Sequence, residues 1–219
     1  MESVLDRVIK QNTENVNLLK TKDYNIFSVL QIQSKEVLIC RMIADLLNPR
    51  GQHGAGAEYL KIFLRDCLGM EKMDTKLADQ AIVTAEYAID DERRIDIVIE
   101  MGSHFLPIEV KIYAADQKSQ CFDYYQYAKR RDAQAKVYYL TLDGHRPGKD
   151  STSSGSQSVP EEDIVCLSFR EHILNWLKAC KSCENTGMVP ILEQFIQNIE
   201  QISGYISEKV RNMVIDELL

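Results

Sequence analysis

Arg94-Ile-Asp-Ile-Val-Ile-Glu100, a break at Met101-Gly-Ser-His104, and Pro107-Ile-Glu-Val-Lys-Ile112 decide the reading of this 219-residue chain. In the first run Ile95, Ile97 and Ile99 alternate with Arg94, Asp96, Val98 and Glu100. A two-residue period rich in β-branched side chains predicts a strand with one buried face. The second run repeats it, with Ile108, Val110 and Ile112 on one side and Glu109 and Lys111 on the other. If 101–104 is a four-residue hairpin loop, Glu100 faces Phe105, and counting back sets Asp96 opposite Glu109. Opposed carboxylates on a strand pair repel, and a divalent cation between them would turn repulsion into coordination. The alternative is a row of solvated charges. It fares worse here because Asp96, Glu109 and Lys111 sit in the most apolar strand pair of the chain, and such central strands are usually covered on both faces.

Ile95-Asp96 followed by Glu109-Val110-Lys111 resembles the D…ExK signature of the PD-(D/E)XK nuclease superfamily. The resemblance spans most of residues 25–203. Upstream, Ser34-Lys-Glu-Val37 through Leu46-Leu-Asn-Pro49 and His53-Gly-Ala-Gly56 is similar to the N-terminal motif of an uncharacterised family in that superfamily. Downstream, Asp116 to Tyr124 looks like a Q-x-x-x-Y helix, and Val165–Phe169 with Ile173–Leu177 looks like the family's last strand and helix. The resemblance implies a restriction-endonuclease-like α/β fold, a mixed sheet of about five strands flanked by helices on both faces. It implies a Mg²⁺-dependent nuclease (Mn²⁺ as substitute) that hydrolyses phosphodiester bonds, with DNA the expected substrate. Asp96, Glu109 and the Val110 carbonyl would hold the metal, and Lys111 would orient or activate water. Glu36 would complete the ligand set, with Glu86 its rival; an acid in the first turn of a helix is also favoured by the helix dipole alone. Gln120 and Tyr124 would position phosphate or water. The alternatives are a nucleic-acid-binding or assembly module that keeps the fold without catalysis, and an unrelated acidic interaction protein.

Length suits one domain over 1–219, with its core at about 25–203. No apolar run approaches a membrane span, and the N-terminus lacks a signal-peptide layout, so the cytoplasm is the expected compartment. Six scattered cysteines fit reduced thiols. Cys180 and Cys183 form the one Cys-x-x-Cys, as a helix end or as half of a zinc site. A net charge of −7 argues against a broad embrace of nucleic acid. Contact must then come from a patch, with Lys129, Arg130 and Arg131 (joined by Lys136) the candidate. The same cations would equally cap a helix C-terminus. His53, in the turn Asn48-Pro-Arg-Gly-Gln-His-Gly-Ala-Gly56, is a further candidate for substrate contact or a structural loop histidine. A homodimer is compatible with all of this.

The remaining pattern predicts helices over 2–20, 34–48 (Ser34 as N-cap), 56–68 with Gly69 as stop, 114–131, 190–203 and 205–217. It predicts strands over 81–89, 136–142 and 164–167. Gln117, Gln120 and Tyr124 would share one face of the 114–131 helix. Residues 144–162, rich in Gly, Ser and Pro, read as a mobile loop, and Ser168 to Glu171 as a capping box.

Overall fold

The Ile-rich stretch forms an antiparallel hairpin inside a five-stranded mixed sheet. The computed structural model of the protein describes residues 24–71, 74–183 and 186–204; the helices expected over 2–20 and 205–217 lie outside these. The described helices are α1 (Ile26–Val29), α2 (Glu36–Leu47), α3 (Glu58–Asp66), α4 (Thr75–Asp79), α5 (Gln120–Arg131), α6 (Leu174–Lys181) and α7 (Val189–Ile202). Strands β1 (Ile82–Ala88), β2 (Arg94–Met101) and β3 (His104–Lys111) are antiparallel neighbours. After the α5 crossover, β4 (Val137–Thr141) and β7 (Ile164–Ser168) join parallel to β3, giving the order β1-β2-β3-β4-β7. A separate small hairpin pairs β5 (Ser153–Ser154) with β6 (Gln157–Ser158).

Glu100 pairs with Phe105, as counting along the strands requires. The turn is tighter than expected, because Met101 also pairs with His104 and only Gly102-Ser103 remain as loop. Gly102, the first central residue, sits at φ 58, where any Cβ is disfavoured. On one face of the sheet Ile97, Ile99, Ile108 and Val110 pack with α2, α3, α6 and α7. Trp176 of α6 is fully buried there; it donates its indole N–H to the Tyr59 carbonyl at 2.8 Å and meets Phe63 edge-on at 5.4 Å. On the other face α5 covers Val98, Phe105 and Tyr139 through Cys121, Tyr124 and Ala128.

Ile95 departs from its predicted face and joins the α5 side with Val98. The cause is local. Between Ala85↔Ile97 and Tyr87↔Ile95 the β1–β2 ladder skips one position, where Glu86 adopts φ 52. The β2–β3 ladder stops at Ile97↔Ile108. Asp96 thus has no ladder partner on either side, and the strand is free to turn there.

Helix boundaries shift for identifiable reasons. Lys35, not Ser34, is the N-cap of α2, so Glu36 is its first residue. Helix α5 starts at Gln120 rather than 114 because Ser119 takes a left-handed conformation at φ 57, which leaves Gln117 in a loop, off the predicted face. Helix α4, capped by Asp74 accepting from the Lys76 N–H at 2.9 Å, had no periodic signal long enough to announce it. At Ser168 half of the capping box forms, Oγ accepting from the Glu171 N–H at 3.1 Å. The Ser168 N–H goes instead to His172 Nδ1 at 3.1 Å, and the helix opens with a π-turn over Phe169–Ile173.

The segment over 144–162 is folded rather than loose. Asp116 accepts from the Tyr139 hydroxyl and the Gly148 N–H, both at 2.7 Å. Ser151 is fully buried; its Oγ accepts from the Cys121 N–H at 3.3 Å and its carbonyl from the Phe122 N–H at 3.0 Å. The polar composition is spent on capping the free N–H groups at the start of α5, a use that composition alone does not reveal.

The glycine-rich turn after α2 fixes α2 against α3. Gln52 N–H donates to Asp45 Oδ1 at 3.0 Å, and Gly51 N–H to the Asn48 carbonyl at 2.8 Å. A Cβ at Gly51 would lie 2.2 Å from the Asp45 carbonyl oxygen and 2.6 Å from the His53 ring. Gly51→Ala should therefore behave as an overpacked core substitution, costing about 1–3 kcal/mol. That corresponds to a melting-temperature drop of roughly 2–12 °C, measurable by calorimetry, whereas an unchanged melting temperature would show that the turn gives way freely.

Candidate active site

Asp96, Glu109 and Lys111 converge where β2 and β3 part. With no ladder partner beyond Ile97↔Ile108, the Val110 N–H turns to the Asp96 carboxylate and donates to Oδ2 at 2.8 Å. Glu109 is 1% exposed on the α5 side of β3, and Lys111 is 7% exposed, its Nζ on Glu109 Oε1. The other Glu109 oxygen, Oε2, is buried and no N–H or hydroxyl donor reaches it; the Asp96 carboxyl lies within hydrogen-bonding reach of Glu109. An oxygen without a donor forfeits its hydration without compensation.

Burial pushes the Glu109 carboxyl well above the usual carboxylate range, and the adjacent Asp96 charge pushes it further, against the pull of Lys111. Asp96 is also raised, chiefly by burial, although the Val110 N–H and Lys111 favour its charged form. Burial alone would lower Lys111, but Glu109, Asp96 and Glu36 outweigh it and hold the ammonium above its ordinary value. The upward shifts of Glu109 and Lys111 oppose each other across one contact. The geometry is that of an ion pair, so the lysine keeps its proton and the excess negative charge is that of the two carboxyls.

Helices on both sides clamp this cluster. From α2, Glu36 Oε2 accepts from the Ile112 N–H at 2.8 Å, just past the end of β3. Its charge acts on Asp96, Lys111 and the buried Cys40 thiol. Glu86, the rival third carboxylate, is instead paired with Arg41 at 2.8 Å. From α5, Gln120 Nε2 donates to the Tyr124 hydroxyl at 3.1 Å, and that hydroxyl donates to the Arg94 carbonyl. Tyr124 is 1% exposed, so the visible work of this pair is to fasten α5 to β2 beside Asp96. Arg93, which no pattern along the chain singles out, completes the clamp. It reaches Asp123 at 3.0 Å, Gln117 Oε1 at 2.8 Å and the Lys118 carbonyl at 2.6 Å.

The outlying candidates engage in local contacts of their own. His53 is 3% exposed; Nε2 contacts the Asn48 carbonyl at 2.9 Å, Nδ1 accepts from the Ala55 N–H at 3.1 Å, and the ring stacks on Tyr59. These contacts hold the turn in place. Lys129 pairs with Asp163 at 3.2 Å and Arg131 with Glu100 at 3.2 Å, while Arg130 lies over the Tyr127 ring. All three stand in the last turn of α5, where the dipole favours cations. All six cysteines are free thiols. Among the described residues no group of three or more His, Cys, Asp or Glu side chains is arranged to hold a metal, which holds for Cys180 and Cys183 and equally for Glu36 taken together with Asp96 and Glu109.

A mixed sheet with a crossover helix, two carboxylates and a lysine at the parting of its central hairpin defines a restriction-endonuclease-like α/β fold. The chain belongs to the PD-(D/E)XK nuclease superfamily, whose family model matches residues 24–206. No curated protein and no solved structure gives a significant match. Among the described residues no helix is long and apolar enough to cross a membrane.

The raised carboxyls make a stability prediction. A carboxyl whose folded pKa exceeds its unfolded one binds more protons in the folded state, so its stabilising contribution is full below the unfolded value and is lost as pH rises through the folded one. The window opens at the ordinary values, 3.8 for Asp96 and 4.5 for Glu109, and extends upward. Without metal, the protein should lose stability across this window. Asp96→Asn, which keeps an oxygen for the Val110 N–H, should make the loss smaller. At neutral pH it should raise the melting temperature by roughly 2–4 °C, equivalent to about 1 kcal/mol. Melting curves of the two proteins from pH 4 to 8 that run parallel would refute the electrostatic account.

Proposed function

We propose that the protein is a Mg²⁺-dependent nuclease (Mn²⁺ substituting) that hydrolyses phosphodiester bonds of DNA. The observation that carries this reading is the Glu109 Oε2 atom, buried without a donor beside a second carboxylate. A hard divalent cation satisfies that atom and relieves the repulsion with Asp96. Mg²⁺ is usually bound through one or two carboxylates and keeps several waters, so this donor set fits without a third acid. Asp96 and Glu109 would hold the ion. In an extended strand the N–H and C=O of one residue project to the same edge, so the Val110 carbonyl points toward Asp96, beyond the last ladder pair, and would be the third oxygen. Glu36, with Oε2 on Ile112, would act through a water of the ion rather than as a third carboxylate ligand.

When bound, the cation supplies charge compensation at the scissile phosphate and Lewis-acid activation of water. Lys111, held protonated by its acidic neighbours, offers Nζ as a donor to a phosphate oxygen or to the attacking water. Glu109 fixes that Nζ. Gln120 and Tyr124 act as positioning residues by holding α5 against the Arg94 carbonyl, two residues from Asp96.

Purified protein should cleave DNA only when Mg²⁺ or Mn²⁺ is added, and a chelator should stop it. Lys111→Met should lower kcat by roughly 10²–10³, the usual cost of removing one preorganised electrostatic contact. Saturating Mn²⁺ should raise the melting temperature of the wild type but not that of Asp96→Asn, since only a native-state ligand stabilises. No cleavage of any nucleic acid with either metal, or Lys111→Met acting at the wild-type rate, would overturn the proposal.

A further inference from the structure

Four exposed side chains adjoin residues of the site along the chain and take no part in its scaffold. Lys35 precedes Glu36, Arg94 lies two residues before Asp96, and Lys118 lies two residues before Gln120. Tyr113 follows Ile112, whose N–H Glu36 holds. Among the described residues, the Lys35, Arg94 and Lys118 side chains have no ion pair or hydrogen bond. They differ in this from Lys129 and Arg131, whose charges are already matched. Tyr113 is 69% exposed, so its ring faces solvent and is open to stacking.

The second observation lies on the other side of Glu36. Leu30, Val37 and Leu38 are 58%, 41% and 39% exposed. With Ile32, Lys35 and Glu36 they line an open groove of about 540 Å³. An apolar wall thus reaches Glu36, with Lys35 at its rim, and the exposed Tyr113 follows the residue whose N–H Glu36 holds. A duplex keeps its base faces stacked inside and presents sugar and phosphate, which gain nothing from such surfaces. A single strand exposes base faces and phosphates together, and proteins bind it by combining aromatic platforms with positive charge along the backbone.

Building on the nuclease reading, we infer that the substrate at this site is single-stranded DNA. One base stacks on Tyr113, a neighbouring base seats against the Leu30–Val37–Leu38 wall, and Lys35, Arg94 and Lys118 meet phosphates. The arrangement is local, which reconciles nucleic-acid binding with a net charge of −7. The substrate would pass across Glu36 with its backbone turned toward Asp96 and Glu109.

The test is fluorescence anisotropy with a labelled oligonucleotide, single-stranded and as its duplex, on the full chain carrying Asp96→Asn so that no cleavage intervenes. The single strand should bind more tightly than the duplex. Tyr113→Ala should weaken single-strand binding about tenfold or more, within the range measured for base–aromatic stacking. Tyr113→Phe should retain it, and neither variant should alter duplex binding. Lys35→Gln, Arg94→Gln and Lys118→Gln should each reduce the slope of log affinity against log salt by about 0.7, and Lys76→Gln on α4 should not. Equal or tighter duplex binding, or single-strand affinity indifferent to Tyr113→Ala, would overturn the inference. Metal-dependent cleavage by the wild type alongside that result would leave the nuclease reading standing. Tyr113-dependent single-strand binding without cleavage in Mg²⁺ or Mn²⁺ would do the reverse.

Discussion

One backbone N–H, that of Val110, determines how the site is built. In a regular hairpin it would belong to the β2–β3 ladder; here the Asp96 carboxylate takes it. A side chain can replace a ladder partner only where the strands part, and they part at Asp96 because the ladders on both sides leave that residue unpaired. The left-handed conformation of Glu86, a cost of order 1–3 kcal/mol for a residue other than glycine, lies across from this opening. The same turn of the strand moves Ile95 to the α5 side, so the anomaly in packing and the placement of the acid have one origin.

The cost of gathering two carboxylates in a nearly dry site is contained by contacts from opposite layers of the fold. Glu36 secures the chain just beyond Lys111 from the α2 side. Tyr124 and Arg93 secure β2 and the start of α5 from the other side. These contacts join elements far apart in sequence, so the site is assembled only when the whole sandwich is. The buried atom they leave without a donor, Glu109 Oε2, is the part of the structure that the fold itself does not satisfy.

The sequence made the sheet and its register legible because two-residue alternation is a strong local signal and the pairing of Glu100 with Phe105 needs only counting. It made Asp96, Glu109 and Lys111 legible because charges are rare in a strand pair that apolar. Three things escaped it. The face of Ile95 depends on a backbone conformation at Glu86 that no pattern encodes. The 144–162 segment is polar because it caps α5, and polarity reads equally as freedom or as capping. The state of Lys129 and Arg131 depends on acids distant in sequence, Asp163 and Glu100. Arg93 and Tyr113 carried no motif at all; their relevance comes from what surrounds them in space.

Glu86 has a consequence for how copies of this chain meet one another. Strand β1 is an edge of the sheet, and Ile82 on it is 54% exposed, the kind of border onto which a neighbouring molecule could add its own strand. The left-handed residue interrupts that border after Ala85, and its carboxylate is drawn onto Arg41. A second chain would find at most a few consecutive backbone groups to pair with before the line bends away. The irregularity that opens the sheet for Asp96 on the inside therefore also keeps the β1 edge from serving as a long template for strand-by-strand growth.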